Sequence, residues 1–214
     1  MTLEPIPASA VGTPTPDAAA QPPETAGALV RRRRQASGLS INRLAVRSGI
    51  SASTIGTLER GRTPLQSLWT AAALAYALKA DPYALAIAAG RSYPAATRSD
   101  RDRGHRTVRA SDIAGPHRTL TYFGEMLYLW RIRHNRTLTQ VAELTGADRL
   151  WLSRVERMAA APSIPTVVKI ADGLNLSRTE LLVLAMRDQH CRNLYARENM
   201  VYAPHVRDLY ARSG

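Results

Sequence analysis

Arginine is the side chain whose chemistry dominates this sequence. The chain of 214 residues carries 27 arginines and only two lysines, Lys79 and Lys169, against 17 acidic side chains. The formal net charge is +12 and the pI is about 10.8. A positive field of this size attracts polyanions, and nucleic acid is the default polyanion in a bacterial cytosol. The charge therefore favours a nucleic-acid partner, although a GC-rich genome alone also produces an arginine bias.

The residue types that perform catalysis show no arrangement typical of an active site. The five histidines have no metal-ligand spacing, and Cys191 is the only cysteine, which excludes an internal disulfide and a multi-cysteine metal site. His190 and Cys191 are adjacent, but the only carboxylate near them in sequence is Asp188, which looks exposed. No phosphate-binding glycine loop is present. We therefore expect no enzyme, no metal and no cofactor, and no small-molecule ligand is evident.

Composition divides the chain into five segments. Residues 1–25 are rich in proline and alanine, have a net charge of −3 and are predicted to be a disordered tail. Residues 26–90 carry nine basic and two acidic side chains, and residues 119–185 carry eight and six. Between them, residues 91–118 have seven arginines and no helical apolar period, which predicts a linker. Residues 186–214 repeat the pattern Leu-Tyr-Ala-Arg, which predicts a helical tail that either mediates dimerisation or packs on its own chain.

Membrane insertion and secretion are not expected. Apolar residues make up 45% of the chain, but no stretch approaches the roughly 18 consecutive apolar residues of a membrane span. The N-terminus also lacks the basic-then-apolar order of a signal peptide. We expect a cytoplasmic protein associated with the nucleoid.

The chain repeats itself at an offset of 97 residues. Residues 40–45 (SINRLA) fall on residues 137–142 (TLTQVA), and residues 58–60 (LER) fall on residues 155–157 (VER). The glycines at positions 27 and 49 coincide with those at positions 124 and 146. Further along, the offset drops to 96, so the first copy has one extra residue after its third helix. Similarity over about 60 residues indicates an internal duplication.

Each copy is predicted to form five short helices around one small core. Residue types that favour helix N-caps precede the second, third and fourth helices: Ser40, Ser51 and Ser67 in copy one, and Thr137, Asp148 and Ser163 in copy two. The fifth helices start near Asp81-Pro82 and Ser177. Gly49 and Gly146 lie where a turn requires a left-handed residue. We therefore predict two all-α domains at residues 26–90 and 119–185.

The run from Ser40 to Gly61 resembles the helix-turn-helix of the phage Cro and repressor family, also called the xenobiotic-response-element family. The residues that carry the resemblance are Ser40, Leu44, Ala45, Gly49, Ile50, Ser51, Ile55, Leu58, Glu59, Arg60 and Gly61. The second copy, continuing through Glu156 to Ser163, resembles the same family, and the two matches cover about 130 residues. The resemblance implies two lambda-repressor-like domains of five helices each.

The resemblance also implies two structural ion pairs. In this family an arginine of the first helix commonly pairs with the glutamate that ends the third helix. The matching residues are Arg34 with Glu59 and Arg131 with Glu156, each pair separated by 25 positions. A partly buried arginine needs such a carboxylate, because an unpaired buried charge costs several kcal/mol.

The family places its third helix in the major groove of DNA, while the N-terminus of the preceding helix points at phosphate. The implied base-contacting residues are Ala52, Ser53, Thr54 and Thr57 in copy one, and Arg149, Leu150, Trp151 and Arg154 in copy two. Phosphate contacts are implied for Ser40, Asn42, Arg60 and Arg62, and for Thr137, Thr139 and Arg157. Only Arg149 and Arg154 suit bidentate binding to guanine. The family's common glutamine at the start of the second helix is replaced by Ile41 and Leu138.

These observations favour a transcription regulator that binds specific double-stranded DNA, more often as a repressor, with one chain acting as an internal dimer. Two alternatives stay open. Copy two, with an apolar helix over residues 123–130 and with Leu150 and Trp151, could instead pack on copy one, dimerise or bind a protein partner, as in an antitoxin or phage regulator. The whole chain could also be a nonspecific architectural or plasmid-maintenance protein. A homodimer is compatible with each of these hypotheses.

Overall fold

The computed structural model describes residues 24–94, 113 and 122–197, and it describes side chains as far as residue 192. Over these residues the regular structure is entirely helical, in the order α1 (Ala26–Ala36), α2 (Ile41–Ser48), α3 (Ala52–Glu59), α4 (Leu68–Ala77), α5 (Pro82–Arg91), α6 (Phe123–Arg133), α7 (Leu138–Thr145), α8 (Arg149–Glu156), α9 (Ile164–Gly173) and α10 (Arg178–Arg197). Helices α1–α5 form copy one and α6–α10 form copy two, which confirms the predicted all-α fold with two tandem domains. Most of the predicted tail 1–25 and linker 91–118, and residues 198–214, lie outside the described residues.

The residue types predicted to begin the helices do so. Ser51 accepts a hydrogen bond from the backbone N–H of Thr54 at 3.1 Å, and Asp148 accepts one from Trp151 at 2.7 Å. These side chains satisfy N–H groups that have no partner within their own helix. Gly49 and Gly146, which end α2 and α7, have φ angles of 71° and 63°. The turn before each third helix is thus built from the predicted residues.

The first helix of each copy crosses the end of the third helix at a glycine. A Cβ on Gly27 would collide with the carbonyl oxygen of Leu58, and a Cβ on Gly124 would collide with that of Val155. No larger residue fits there without moving a backbone. This close approach explains why glycine recurs at an offset of 97 residues.

The fifth helix of copy two is longer than predicted. Helix α10 has 20 residues whereas α5 has 10, and no break marks the boundary predicted at residue 186. Asp188, which looks exposed in the sequence, is only 1% exposed. The reason is that it lies on the inner face of this continuous helix, where Arg192 Nε donates to its Oδ1 at 3.0 Å.

The two copies pack on each other through their last two helices. Helix α5 contacts α9 and α10, and α10 in turn contacts α4 and α5. Because α4 and α5 correspond to α9 and α10 in the repeat, these contacts are reciprocal, as in a two-fold symmetric dimer. The buried apolar side chains of both copies belong to one continuous cluster. The described parts of the two copies therefore form a single packed body.

The strongly apolar helix of copy two finds its partners within its own copy. Helix α6 packs against α8 and α10, and its side chains Phe123, Met126 and Leu127 are completely buried. Ile113, from the predicted linker, is buried as well, and its carbonyl oxygen accepts a hydrogen bond from Arg133 at 3.2 Å. The apolar character of α6 thus does not by itself indicate an interface with another chain.

Candidate DNA-binding surface

Both ion pairs implied by the family resemblance are present. Arg34 donates from Nε to Glu59 Oε1 at 2.7 Å and from Nη2 to Oε2 at 2.8 Å. Arg131 makes the same two bonds to Glu156, at 2.8 and 2.9 Å. The hydrogen bonds that each arginine donates to its glutamate raise the pKa of the arginine, so the guanidinium stays charged. Each pair joins the end of the first helix to the end of the third and so fixes the direction in which the third helix points.

The third helix of copy one presents short, weakly polar side chains to solvent. Ile55 and Leu58 are buried, whereas Ser53 and Thr54 are exposed and Ala52 and Thr57 are partly exposed. Several hydroxyls are already bonded within the helix: Thr54 Oγ1 lies 2.7 Å from Ser51 Oγ, and Thr57 Oγ1 donates to the carbonyl of Thr54 at 3.0 Å. This surface is suited to contact with thymine methyl groups and offers no bidentate partner to a base.

The third helix of copy two presents a different surface. Arg149 and Arg154 are exposed, and Leu150 is 65% exposed, while Leu152 is buried on the opposite face. Trp151 is half-buried and packs against the core, so only part of its ring faces solvent. Two exposed guanidinium groups beside an apolar side chain match the guanine acceptors and the thymine methyl groups that a major groove offers.

The residues implied in phosphate contacts surround the second and third helices. Ser40 and Thr137 are exposed N-caps of α2 and α7, and Asn42 and Thr139 are exposed in the first turns of the same helices. A hydroxyl that accepts a capping bond keeps its own proton to donate. At the other end, Arg62 is exposed, and Arg60 folds back along α3, where Gly56 leaves room for its guanidinium. In copy two, Arg157 takes a similar course, with its Nε donating to the carbonyl of Ser153 at 3.2 Å.

A family model for the helix-turn-helix domain matches the chain twice, over residues 25–86 and 123–184. The chain belongs to the helix-turn-helix domain family. The matched regions coincide with the two structural copies, so the predicted tandem arrangement is confirmed. Comparison with curated proteins and with solved structures gave no match. A domain of this family is a DNA-binding type, and this helix-turn-helix protein carries it twice.

Sequence reasoning missed several basic residues of this helix-turn-helix protein that lie beside the predicted contacts. Arg43 and Arg47 are exposed on α2 and line a shallow groove with Asn42 and Val46. Arg31 lines a second recess together with Arg60, near the start of α2. The spacing of four residues between Arg43 and Arg47 was a usable signal, because such residues lie on the same helix face.

The described residues give no sign of a membrane or metal site. No helix among them is both long and apolar enough to cross a bilayer. Nor do three or more of their histidine, cysteine and acidic side chains come together in a way that could hold a metal ion.

Proposed function

We propose that this helix-turn-helix protein is a transcription regulator that binds specific double-stranded DNA with both domains of a single chain. The observation that carries the proposal is the position of the two third helices. Helix α3 packs only against α1 and α2 among its principal contacts, and α8 packs against α6 and α7. The interface between the copies uses α4, α5, α9 and α10 instead. The packing of the two domains on each other therefore leaves exposed the surfaces that would contact DNA.

The reciprocal packing supports binding to two neighbouring half-sites. Dimeric helix-turn-helix proteins use two-fold symmetry to place their third helices in successive major grooves, about 34 to 36 Å apart. Here one polypeptide supplies both halves, and the exposed residues of α3 and α8 differ. We therefore expect an operator with two unlike halves rather than a palindrome.

The two domains contribute differently to binding. Arg149 and Arg154 supply direct recognition of guanine, where a good bidentate pair is worth about 1 to 3 kcal/mol. Residues 26–90 carry nine basic and two acidic side chains, so copy one supplies mainly affinity for the phosphate backbone through counterion release. Repression follows if the bound site overlaps a promoter, because the protein then excludes polymerase. We also propose a nucleoid-associated location and no enzymatic activity.

A role of copy two as a purely protein-binding module is less well supported. Its contacts with copy one leave Arg149, Leu150 and Arg154 exposed, and nothing about packing requires arginines at two positions of α8. Two exposed arginines on the helix that the family uses for bases favour DNA.

The test is selection of duplexes from a randomised pool, with the wild-type protein and Arg149→Ala. We expect a consensus of about 20 base pairs with two unlike halves, and we expect the variant to lose base preference at one base pair of one half. Lys169→Ala removes the same charge from an exposed position of α9 and is the matched control, which should select the wild-type consensus. Failure to obtain any consensus, with all competitor duplexes displacing the protein equally, would show a nonspecific DNA-binding protein instead.

A further inference from the structure

We propose that Arg178 is a positioning residue that fixes the spacing and rotation of the two third helices, so that the protein discriminates operators by spacer length as well as by base sequence. This inference rests on the proposed function. It concerns a residue outside the surfaces that contact DNA, and it follows from polar contacts between the two copies.

All three guanidinium nitrogens of Arg178 are hydrogen-bonded, and two of them connect copy two to the end of copy one. Its Nε donates to Asp172 Oδ1 at 2.6 Å within copy two. Its Nη1 donates to the carbonyl of Tyr93 at 3.1 Å, and its Nη2 donates to the carbonyl of Pro94 at 3.0 Å, both just after α5 of copy one. The side chain is 25% exposed. Asp172 holds the guanidinium in place, and the planar group spans the gap between α10 and the end of α5.

The residue that Arg178 holds is itself bonded to the loop that follows α3. The hydroxyl of Tyr93 donates to the carbonyl of Leu65 at 3.3 Å. Burial raises the pKa of the Tyr93 phenol, so the hydroxyl keeps the proton that it donates. The next carbonyl in the same loop, that of Gln66, accepts a hydrogen bond from the backbone N–H of Ile164 at 2.8 Å, at the first turn of α9. The loop behind α3 is thus held at two successive carbonyls, one through Tyr93 and one directly by copy two.

Close packing of α5 on α10 adds a steric constraint to these polar contacts. A Cβ on Gly90 would collide with Cδ1 of Leu182, and Leu182 is only 1% exposed. Because packed interiors deform little, this approach sets the distance between the two helices. The position of copy two relative to the third helix of copy one is therefore determined by these contacts, which include the first residues of the connecting segment, Tyr93 and Pro94.

Two domains in a fixed arrangement cannot adapt to operators with different spacers, whereas flexibly connected domains can. A connection of 28 residues, the length of the predicted linker 91–118, has a root-mean-square reach of about 29 Å if flexible and would let the two domains follow different spacers. A fixed body cannot do so, because two added base pairs rotate one half-site by about 70° around the duplex. A fixed body then loses the contacts of one half, and loss of a single matched base pair already lowers the affinity by about tenfold or more.

Copy two offers a matched control for Arg178 on the same helix. Arg192 also pairs with an aspartate, Asp188, and also donates to two backbone carbonyls, those of Met158 at 3.1 Å and Ala160 at 3.4 Å. These carbonyls follow α8 in the same domain, so these bonds lie within copy two. The counterpart of Arg178 in copy one is Pro82, so the contact between the domains is one-sided.

The experiment measures affinity for duplexes that carry the selected operator with its spacer changed by up to two base pairs in either direction. Wild-type protein, Arg178→Ala, Arg192→Ala and the wedge variant Gly90→Val are compared by fluorescence anisotropy, after circular dichroism has shown that each is folded. We expect the wild-type protein to lose about tenfold in affinity when the spacer changes by two base pairs. Arg178→Ala should reduce this loss to about threefold or less. Gly90→Val should either change the spacer length that is bound most tightly or weaken the preference for one spacer length. Arg192→Ala should keep the tenfold preference.

Two results would overturn the inference while leaving the proposed function intact. One is a wild-type protein that binds a two-half consensus but accepts all spacers equally. The other is a spacer preference in Arg178→Ala as steep as in the wild-type protein. Should the selection return no consensus with two halves, the proposed function fails before any of these variants is needed.

Discussion

The two copies of the domain agree where the fold requires a particular residue and differ where a ligand would be contacted. Gly27 and Gly124 allow the same close approach of helices, and the pairs Arg34–Glu59 and Arg131–Glu156 have the same geometry. The exposed positions of α3 and α8 share none of this similarity. The residues of the scaffold, and not those of the exposed surface, therefore make the repeat detectable in the sequence. The DNA-contacting surface of one copy does not predict that of the other.

The comparison also separates affinity from specificity. Copy one combines a basic segment with a third helix whose hydroxyls bond to their own backbone and neighbours. Copy two has almost balanced charge but carries Arg149 and Arg154 on its third helix. Copy one is suited to bind the backbone and to contact thymine methyl groups in its half-site, whereas copy two is suited to the stronger discrimination between bases.

The largest effect on stability is expected from breaking the Arg–Glu ion pair that each copy has between its first and third helices. Glu59→Ala and Glu156→Ala each leave a largely buried arginine without its carboxylate, which costs about 3 to 5 kcal/mol of folding free energy. Urea unfolding measures the loss. Glu24→Ala is the control, because Glu24 and Arg32 are 39% and 58% exposed and solvent screens their attraction, so the loss of this pair should change stability little. A neutral Glu156→Ala would show that the two scaffolds are not equivalent.

A smaller loss of stability is expected from filling the shared helix crossing. Gly27→Ala and Gly124→Ala place a methyl group against a backbone carbonyl, which costs about 1 to 3 kcal/mol. Alanine elsewhere in a helix is favoured over glycine by about 0.5 to 1 kcal/mol, so the sign of the effect is informative. A higher midpoint temperature of thermal unfolding in either variant would contradict the close approach of the helices in that copy.

The next largest effect is expected on DNA affinity, from substitutions of exposed residues in α8 and α3. Arg149→Ala should weaken binding to the selected operator by about 1 to 3 kcal/mol and relax specificity at one base pair. Ser53→Ala should cost less than about 1 kcal/mol, because it removes a hydroxyl already 3.3 Å from Ser51 Oγ. Gel-shift titrations on the same duplex measure both. A larger loss for Ser53→Ala would reverse the assignment of specificity to copy two.

The smallest effect on DNA affinity is expected from removing a side chain that contacts a phosphate group. Arg62→Ala should weaken binding to all duplexes alike and reduce the slope of log K against log salt by about 1. Salt titrations on an operator and on an unrelated duplex provide the comparison. A loss confined to the operator would mean that Arg62 contacts a base.

Much of the scaffold could be predicted from sequence because its signals are local or repeated. Capping residues such as Ser51 and Asp148 lie next to the helices that they begin, and the spacing of 25 residues in each ion pair occurs twice. The length of α10 and the burial of Asp188 were missed, because burial there depends on residues far away in the chain. Arg178 lies about 85 positions from the carbonyls that it binds, and the repeat offers no counterpart. Contacts between the copies therefore required the structure.

The stoichiometry of the DNA complex distinguishes a chain that carries two unlike DNA-contacting helices in one fixed body from a chain that contributes only one. Native mass spectrometry of the protein on its selected operator, combined with a footprint, counts chains and base pairs together. We expect one chain on a single protected stretch of about 20 base pairs with two different halves. Two chains on a palindromic site would contradict it, because each chain would then contribute a single helix to the DNA.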